Sequence, residues 1–372
     1  MAPSPPIPLS RFLTPPYRDV SYHVHLDYLI VGQGLAGSVL ACLFRMRGHN
    51  VAVVDNSYRT AASISAAGII NPITGKRLTR PFLIDDLLDS AFSTYPAIEE
   101  FLGCSFFQRR TVLRLLQSAA EQQQWSERLA SGQYASYLRT TPLPDNSMIQ
   151  NRFGAFEVSA AGHLDIPELL HATRQKLLSE DRLIESEFDY SELRLTDQNV
   201  IWRNLSAKFV IFCEGYQLSR NPFFNVIKLN PAKGELLTLR APKFDDPRIL
   251  QHGKWLFRTV SGEIKAGTTY SWDPLNETPT PVARAEIEQA IREFIKIDFQ
   301  VIRQSAGVRP VIKVDNRPIV GVHPHHSRLA VLNGLGSKGA LQAPFAAKQL
   351  IAYLERGKSI HPEFDVCRKS LW

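Results

Sequence analysis

The stretch from Asp27 to Ala41, Asp-Tyr-Leu-Ile-Val-Gly-Gln-Gly-Leu-Ala-Gly-Ser-Val-Leu-Ala, constrains the fold more than any other part of the chain. Tyr28 to Val31 reads as a buried strand. Gly32-x-Gly34-x-x-Gly37 follows, overlapped by apolar residues at helical spacing: Leu35, Val39, Leu40 and Leu43. A second apolar run, Val51 to Val54, ends in Asp55. Strand, glycines, helix, strand and acid in this order make the βαβ fingerprint of a dinucleotide site. Gly32 permits the tight turn, Gly34 lets a pyrophosphate approach the backbone, and Gly37 lets helix and strand pack closely. The helix opens at Leu35 and Ala36, and its N-terminus offers free N–H groups and partial positive charge to phosphates. Asp55 can accept hydrogen bonds from a ribose 2′-hydroxyl, and its charge repels a 2′-phosphate. The alternative is a glycine-rich loop with no ligand.

The composition fits a globular protein. At 372 residues the chain can hold two domains with real cores. Hydrophobic residues make up 44% and charged residues 21%, which excludes wholesale disorder. No apolar run reaches transmembrane length, so no membrane contact is expected. Met1 to Tyr22 is proline-rich and lacks the apolar centre of a signal peptide. Residues 1–25 are expected to form an arm, free or strapped over the first domain. Cys42, Cys104, Cys213 and Cys367 have neither disulfide nor metal spacing. No metal is expected, and a reducing cytoplasm is the expected compartment. The formal charge of +7 permits contact with nucleic acid or anionic substrates without arguing strongly for either.

Further along, the patterns predict helices over 85–102, 119–129, 166–178 (with Asp165 as N-cap) and 283–297. Arg109 to Gln117 mixes β-branched and long apolar residues and is a candidate strand. Phe209 to Gly215 is a second buried strand ending in glycine. Glu235–Arg240, Trp255–Thr259 and Glu263–Thr269 alternate as strands of an antiparallel sheet do. Buried and alternating strands together predict two sheets, one parallel and nucleotide-binding, one antiparallel. The segment Ala61 to Lys76 is rich in small residues that let the backbone approach something flat. Near the C-terminus, a strand over 329–332 leads into Asn333-Gly-Leu-Gly-Ser-Lys-Gly339 and a helix to about Glu355. Free N–H groups there suit an electron-rich group, such as a flavin pyrimidine ring.

Four segments carry a family resemblance: the fingerprint; Ser65-Ala-Ala-Gly68 leading to Pro72; Phe209–Gly215 with Pro231-x-Lys-Gly234; and Gly307-Val-Arg-Pro310 with Asn333–Gly339. Over residues 26–355 the chain resembles the FAD-dependent oxidoreductases of the D-amino-acid oxidase, glycine oxidase and sarcosine oxidase superfamily (the DAO family). Its C-terminal segment, with Ala343-Pro344, is similar to the flavin domain of a bifunctional enzyme that matures methylaminomethyl-uridine in tRNA. Asn71-Pro-Ile-Thr-Gly75 attaches to no characterised activity.

The resemblance implies an α/β (mixed α+β) fold. A Rossmann-like FAD-binding domain of glutathione-reductase type would comprise 26–80, 151–235 and 300–372. An inserted, mostly antiparallel substrate domain would comprise 81–150 and 236–299. The implied chemistry is oxidation of a C–N bond next to a carboxylate, with hydride passing to flavin N5 and the imine hydrolysed by water. FAD would be held noncovalently by Gly32, Gly34, Leu35, Ala36, Gly37 and Asp55, then by Ser65, Ala66, Ala67, Gly68 and Gly215. Gly307, Arg309, Gly334, Leu335, Gly336, Ser337, Lys338 and Gly339 complete the implied set. Lys338 is a candidate flavin anchor, its backbone N–H more so than its side chain.

In the family's Gly-x-Arg-Pro motif the arginine grips a substrate carboxylate, which gives that role to Arg309. A structural arginine paired with Asp315 is the alternative. The resemblance also offers Lys265 as a cation near flavin N5, against a solvated strand lysine. Tyr270 is a catalytic candidate and, with Trp272, Trp255 and Arg258, a candidate to line the pocket; core packing accounts equally well for the tryptophans. Lys76, Arg77 and Arg80 are phosphate candidates or solvated loop charges. With no second dinucleotide fingerprint, electrons are expected to pass to O2 or an unknown acceptor. The leading expectation is a small-molecule amine or amino-acid oxidase or dehydrogenase. A flavin-dependent tRNA-modifying enzyme acting on a carboxymethylaminomethyl-uridine ranks lower, because Lys and Arg are scattered. A non-catalytic flavin-binding protein is the third reading. The substrate and the oligomeric state are not legible.

Overall fold

The computed structural model describes residues 24–57, 62–75, 77–139 and 146–372. The expected arm up to residue 23 and Lys76 lie outside the described residues. Strand Val24–Val31 begins inside the segment expected as an arm, because Val24 already pairs with Leu205.

That strand sits inside an eight-stranded sheet. Parallel neighbours are Leu205–Phe212 on one side and Val51–Val54 on the other, followed outward by His326–Asn333 and Leu183–Ile184 respectively. Ile319–His323 pairs antiparallel at the far edge. Alternate residues of the parallel strands feed two separate cores. Tyr28, Ile30, Val51 and Val53 pack under helices Leu35–Met46 and Ile166–Ser179. Leu29, Val31, Ala52 and Val54 pack with Trp202, Phe212 and Phe224 on the other face. Both faces are covered, so these strands read as continuous apolar runs rather than alternations.

Gly37 is where the fingerprint helix meets its strand. A Cβ at that position would lie 1.9 Å from Gly32 O, and at 3.4 Å from the Cys213 side chain. Helix Ile84–Leu102 packs against Gly339–Arg356 on the same face of the sheet. Tyr95 Oη ties the two by donating to Ala340 O at 2.6 Å, fully buried.

The second sheet has seven strands in the order Gln300–Arg309, Ala232–Arg240, Ile264–Gly267, Lys254–Arg258, Ile249–His252, Val112–Leu115, Ala155–Val158. All pairs are antiparallel except Ile249–His252 with Val112–Leu115. Helix Pro281–Arg292 covers its outer face through Ile287 and Ile291. A small third sheet joins Ile69–Ile70, Gly162–Leu164 and Phe107–Arg109.

The sheets do not follow the bounds read from the sequence. Helix Ile84–Leu102 lies on the nucleotide half because its apolar stripe, Leu87, Leu88, Ala91 and Tyr95, is buried there. Strands Ala155–Val158, Ala232–Arg240 and Gln300–Arg309 belong wholly to the seven-stranded sheet. The expected single strand over 109–117 is two strands in two sheets. The break is at Arg110, whose guanidinium bonds Pro247 O at 3.0 Å and also Arg258 O. The helix expected over 283–297 ends at Arg292. Among the described residues no helix is long and apolar enough to cross a membrane.

Gly37→Ala cannot be accommodated without moving the helix off the strand by more than an ångström. It should destabilise the protein by about 3 kcal/mol or more. Urea unfolding of the variant checks this; a loss under about 1 kcal/mol would contradict the packing described.

Candidate active site

Between the two large sheets lies a cavity of about 990 Å³. The fingerprint forms one end. Gly32, Gly34, Leu35, Ala36 and Asp55 line it, while Gly37 lies behind the wall. Asp55 is fixed from two sides. Gln33 N–H donates to its Oδ2 at 2.8 Å, and Arg174 Nη1 stands 3.7 Å from its Oδ1. Arg174 Nη1 also donates to Gln33 Oε1 at 2.8 Å, and Gln33 Nε2 donates to Leu170 O at 2.8 Å. Helix Ile166–Ser179 thus aims the acid that the fingerprint supplies.

Glu187 and Glu214 are the other acids in the wall. Glu214 and Gly215 follow strand Leu205–Phe212. Asn221 Nδ2 donates to Glu214 Oε2 at 2.8 Å, and Tyr190 Oη donates to its Oε1. Burial raises the Glu214 carboxyl to about 7, against the lowering effect of these two hydrogen bonds.

The middle of the cavity is shaped for close approach. Ser65, Ala66, Ala67 and Gly68 line it, with Ser65 Oγ donating to Ala306 O at 2.9 Å across to the second sheet. Gly307 faces this loop; a Cβ there would be 3.1 Å from Ala62 Cα. Leu335, Gly336, Ser337, Lys338 and Gly339 lead into helix Gly339–Arg356, whose start has no side-chain cap and no acid in its first turn. Burial pushes the Lys338 amine down. Gly334 does not line the cavity; its N–H is taken by Asn333 Oδ1 at 2.7 Å.

Arg309 dominates the remaining end. Its Nη2 donates to Thr268 Oγ1 at 2.9 Å and its Nη1 to Thr269 O at 3.3 Å. The guanidinium carbon sits 4.3 Å from the Tyr270 ring centroid. On the other side is Gly234, where any Cβ would meet Nη2 at 1.8 Å. Among the described residues no carboxylate stands within 4.0 Å of Arg309. Asp315, the alternative partner, is taken by Arg368 at 2.9 Å. Burial pushes the Arg309 guanidinium down from its ordinary value, and Tyr270 opposes this. Tyr270 Oη and Ser337 Oγ share a hydrogen bond of 2.6 Å, joining the two halves of the wall.

Lys265 requires correction. It does not line the cavity. Its Nζ is 2.7 Å from Glu263 Oε2 and donates to Thr238 Oγ1 at 2.9 Å, so its charge is spent on a sheet neighbour. Trp255 lines the cavity, but Trp272 is 58% exposed and Arg258 donates to Gly262 O at 3.0 Å, both outside it. Arg77 and Arg80 are likewise outside. Asn71, Thr74, Gln251, Thr268, Arg174 and Glu214 are wall or supporting residues that the sequence did not single out. Asn71 and Thr74 carried a signal in the unassigned Asn-Pro-Ile-Thr-Gly segment, and Glu214 lay within the Phe209–Gly215 segment of the family resemblance.

Glu214 makes stability depend on pH. Between its ordinary pKa of 4.5 and about 7 the folded state holds a proton that the unfolded state has lost. Stability therefore falls as pH rises through that window and is level above it. Allowing for water in the cavity, the fall should be about 1–2 kcal/mol in ligand-free protein. Urea unfolding at pH 5 and pH 8 should show it in the wild type and not in Glu214→Gln; parallel behaviour of the two proteins refutes the assignment.

The residues present fit a flavin dinucleotide: a glycine fingerprint, a fixed acid, a small-residue middle and an uncapped helix start. Comparison with known proteins agrees. The chain is 24% identical over 355 residues to the tRNA 5-methylaminomethyl-2-thiouridine biosynthesis bifunctional protein MnmC of Marinobacter nauticus, covering 87% of this chain and 54% of that protein. It is 28% identical over 149 residues to glycine oxidase of Bacillus subtilis, covering 38% of this chain and 40% of that protein. The chain thus spans about half the length, or less, of these curated relatives. The crystal structure of iminodiacetate oxidase from Chelativorans sp. BNC1 superposes with a TM-score of 0.73 at 21% identity, over 90% of this chain and 96% of that one. The family described as "DAO: FAD dependent oxidoreductase" matches residues 27–354, and the chain belongs to this family of FAD-dependent oxidoreductases.

Proposed function

We propose that this protein oxidises a C–N bond of a small amino acid or secondary amine, using noncovalently held FAD. The observation that carries the reading is Arg309: a half-buried guanidinium in the cavity wall with no carboxylate within 4.0 Å among the described residues. When bound, FAD supplies a two-electron acceptor that takes hydride from the carbon beside the nitrogen. The protein's residues do the rest. In this reading the eight-stranded half holds FAD, and the seven-stranded sheet covers the flavin.

Arg309 binds the substrate carboxylate through two parallel charge-assisted bonds and so orients the α-carbon. Gly234 lets the guanidinium lie flat against the sheet, and Tyr270 covers it from the other side. Among the described residues no acid lines this end, so an ammonium gains no partner from them and the amine reacts in its neutral form. No strong protein base is needed. The uncapped start of helix Gly339–Arg356 favours negative charge developing next to it. The product imine is hydrolysed by water. Electrons leave to O2 or another acceptor, and the four free thiols support a reducing, cytoplasmic setting.

Two outcomes test the reading. Acid precipitation of the yellow protein should release all its colour; colour retained in the pellet would exclude a noncovalent flavin. Anaerobic mixing with amino acids, N-methyl amino acids and modified tRNA should bleach the flavin with a carboxylate-bearing amine. Arg309→Ala should then lower kcat/KM by about 3–5 kcal/mol, roughly 10²- to 10³-fold or more, with FAD content unchanged. Arg309→Lys should recover part, because an ammonium lacks the planar fork. Near wild-type reduction by Arg309→Ala with a carboxylate substrate would sink the reading.

A further inference from the structure

Glu214 lines the cavity beside the glycine fingerprint. Strand Leu205–Phe212 runs parallel to Val24–Val31, and just beyond it Cys213 N–H donates to Val31 O at 2.8 Å. A Cβ on Gly32 would lie 2.6 Å from Cys213 O and 3.5 Å from Glu214 N. The backbone of Glu214 therefore abuts the turn over which a pyrophosphate passes. Its carboxyl is held in place from two sides. Tyr190 Oη donates to Oε1, and Asn221 Nδ2 donates to Oε2 at 2.8 Å. Asn221 is itself fixed: it is 0% exposed, and its Oδ1 accepts from Phe223 N–H at 2.9 Å.

No cation neutralises this carboxyl. Among the described residues no Lys, Arg or His nitrogen stands within 4.0 Å of it. The charged and titratable groups around it are otherwise engaged or do not titrate near neutrality. On the fingerprint side, Asp55 is met by Arg174 at 3.7 Å. From the second sheet, Arg309 donates to Thr268 Oγ1 at 2.9 Å. Burial raises the Tyr190 hydroxyl and the Cys213 thiol, and raises Tyr216, which donates to Glu277, to about 12. Glu187 and Arg220 are exposed, so water and salt screen their charges.

A pyrophosphate brings two negative charges and oxygens that only accept hydrogen bonds. A carboxylate beside it repels it; a carboxylic acid beside it offers an O–H. Each Glu214 oxygen accepts one hydrogen bond from the protein, which leaves each a lone pair where a proton can sit. We propose that Glu214 binds FAD as a neutral acid, offering its O–H to the diphosphate, and that FAD binding takes up a proton there. The proton comes from water, and no other bond changes. The proposal rests on the noncovalent FAD reading. In ligand-free protein the carboxyl, raised to about 7, is partly ionised at neutral pH. Binding to the ionised form must first restore the proton. FAD affinity is therefore level below that pH and weakens as pH rises above it.

Apoprotein titrated with FAD, followed by the quenching of flavin fluorescence, tests this. FAD has no group of its own that titrates between pH 6 and pH 8.5. The Kd should rise about tenfold or more from pH 6 to pH 8.5. In weak buffer at pH 8, binding should take up roughly half a proton or more per FAD, read from an indicator dye. Glu214→Gln should make the Kd independent of pH. Tyr190→Phe removes a bond that favours the carboxylate, so it should move the inflection to higher pH, which a packing role would not do. A wild-type Kd that changes less than about twofold over this range, absence of proton uptake, or a pH dependence that Glu214→Gln retains overturns the proposal. Should Glu214→Gln not fold, the proton count and the Tyr190→Phe shift decide it alone. A flat profile in apoprotein that binds FAD defeats this proposal and leaves the noncovalent reading standing. Flavin that cannot be removed without breaking a covalent bond defeats both.

Discussion

A guanidinium lying flat on a glycine sets the terms for this site. Arg309 needs Gly234 beneath it, because any side chain there would occupy the position of Nη2. Its own partners are weak ones: a threonine hydroxyl, a carbonyl and the face of a tyrosine ring. These hold the planar group in one orientation without neutralising it. A half-buried cation with no counter-ion among the described residues carries a desolvation cost, which is reduced when an anion arrives. In the function proposed above, the same feature that makes the ligand-free site unfavourable makes it selective for carboxylates.

The strand beneath Arg309 works on both faces. Lys233 and Glu235 flank Gly234 and point to the opposite side, where they are 1% and 3% exposed and 3.5 Å apart. Lys233 Nζ donates to Asn276 Oδ1 at 3.0 Å. Glu235 accepts from Thr280 N–H at 2.8 Å, from Thr280 Oγ1 at 2.9 Å and from Gln304 Nε2 at 2.8 Å. Lys233 also exchanges backbone hydrogen bonds with Ser271. Both ends of the segment 271–280 are thereby tied to one strand, and Tyr270 enters the cavity at its start. Such a pair is a poor source of stability, but its bonds to Asn276 and Thr280 constrain this segment.

The parts of this structure legible in the sequence were those governed by local rules. Val51–Val54 and the fingerprint helix follow from hydrophobic period and glycine spacing, and Asp165 caps Ile166–Ser179 as its position suggests, accepting from Glu168 N–H. The four central parallel strands were readable because both their faces are buried. Strand Gln300–Arg309 was not, since its first half is exposed or half-buried and shows no clean alternation. Helix Ile84–Leu102 was visible as a helix, but which half it covers depends on a partner almost 250 residues away. Lys265 illustrates the same limit. Its strand was read correctly, yet its charge is neutralised by Glu263, two residues before it, and the sequence gives no sign of which face that pair occupies. Arg174 supports Asp55 from more than a hundred residues downstream, with nothing local to mark it.

The two ends of the cavity have opposite charge logic, and the topology explains why. Parallel strands deliver their C-terminal ends to one edge, and there the chain sets Asp55, Glu187 and Glu214. An acid is tolerated beside a dinucleotide where it meets a hydroxyl or is held neutral. Asp55 faces the first condition, and Glu214, raised to about 7, meets the second. The antiparallel sheet contributes residues of one face from successive strands: Gln251, Trp255 and Gly267 lie opposite one another, and the Arg309 side chain lies over Gly234 on the next strand. A hydrogen-bonded chain that begins at a backbone N–H, Ile73 to Asn71 to Gln251, leaves the far end of that row offering donors. In the proposed function the nucleotide sheet fixes where a flavin lies, and the second sheet sets the sign of the groups facing it.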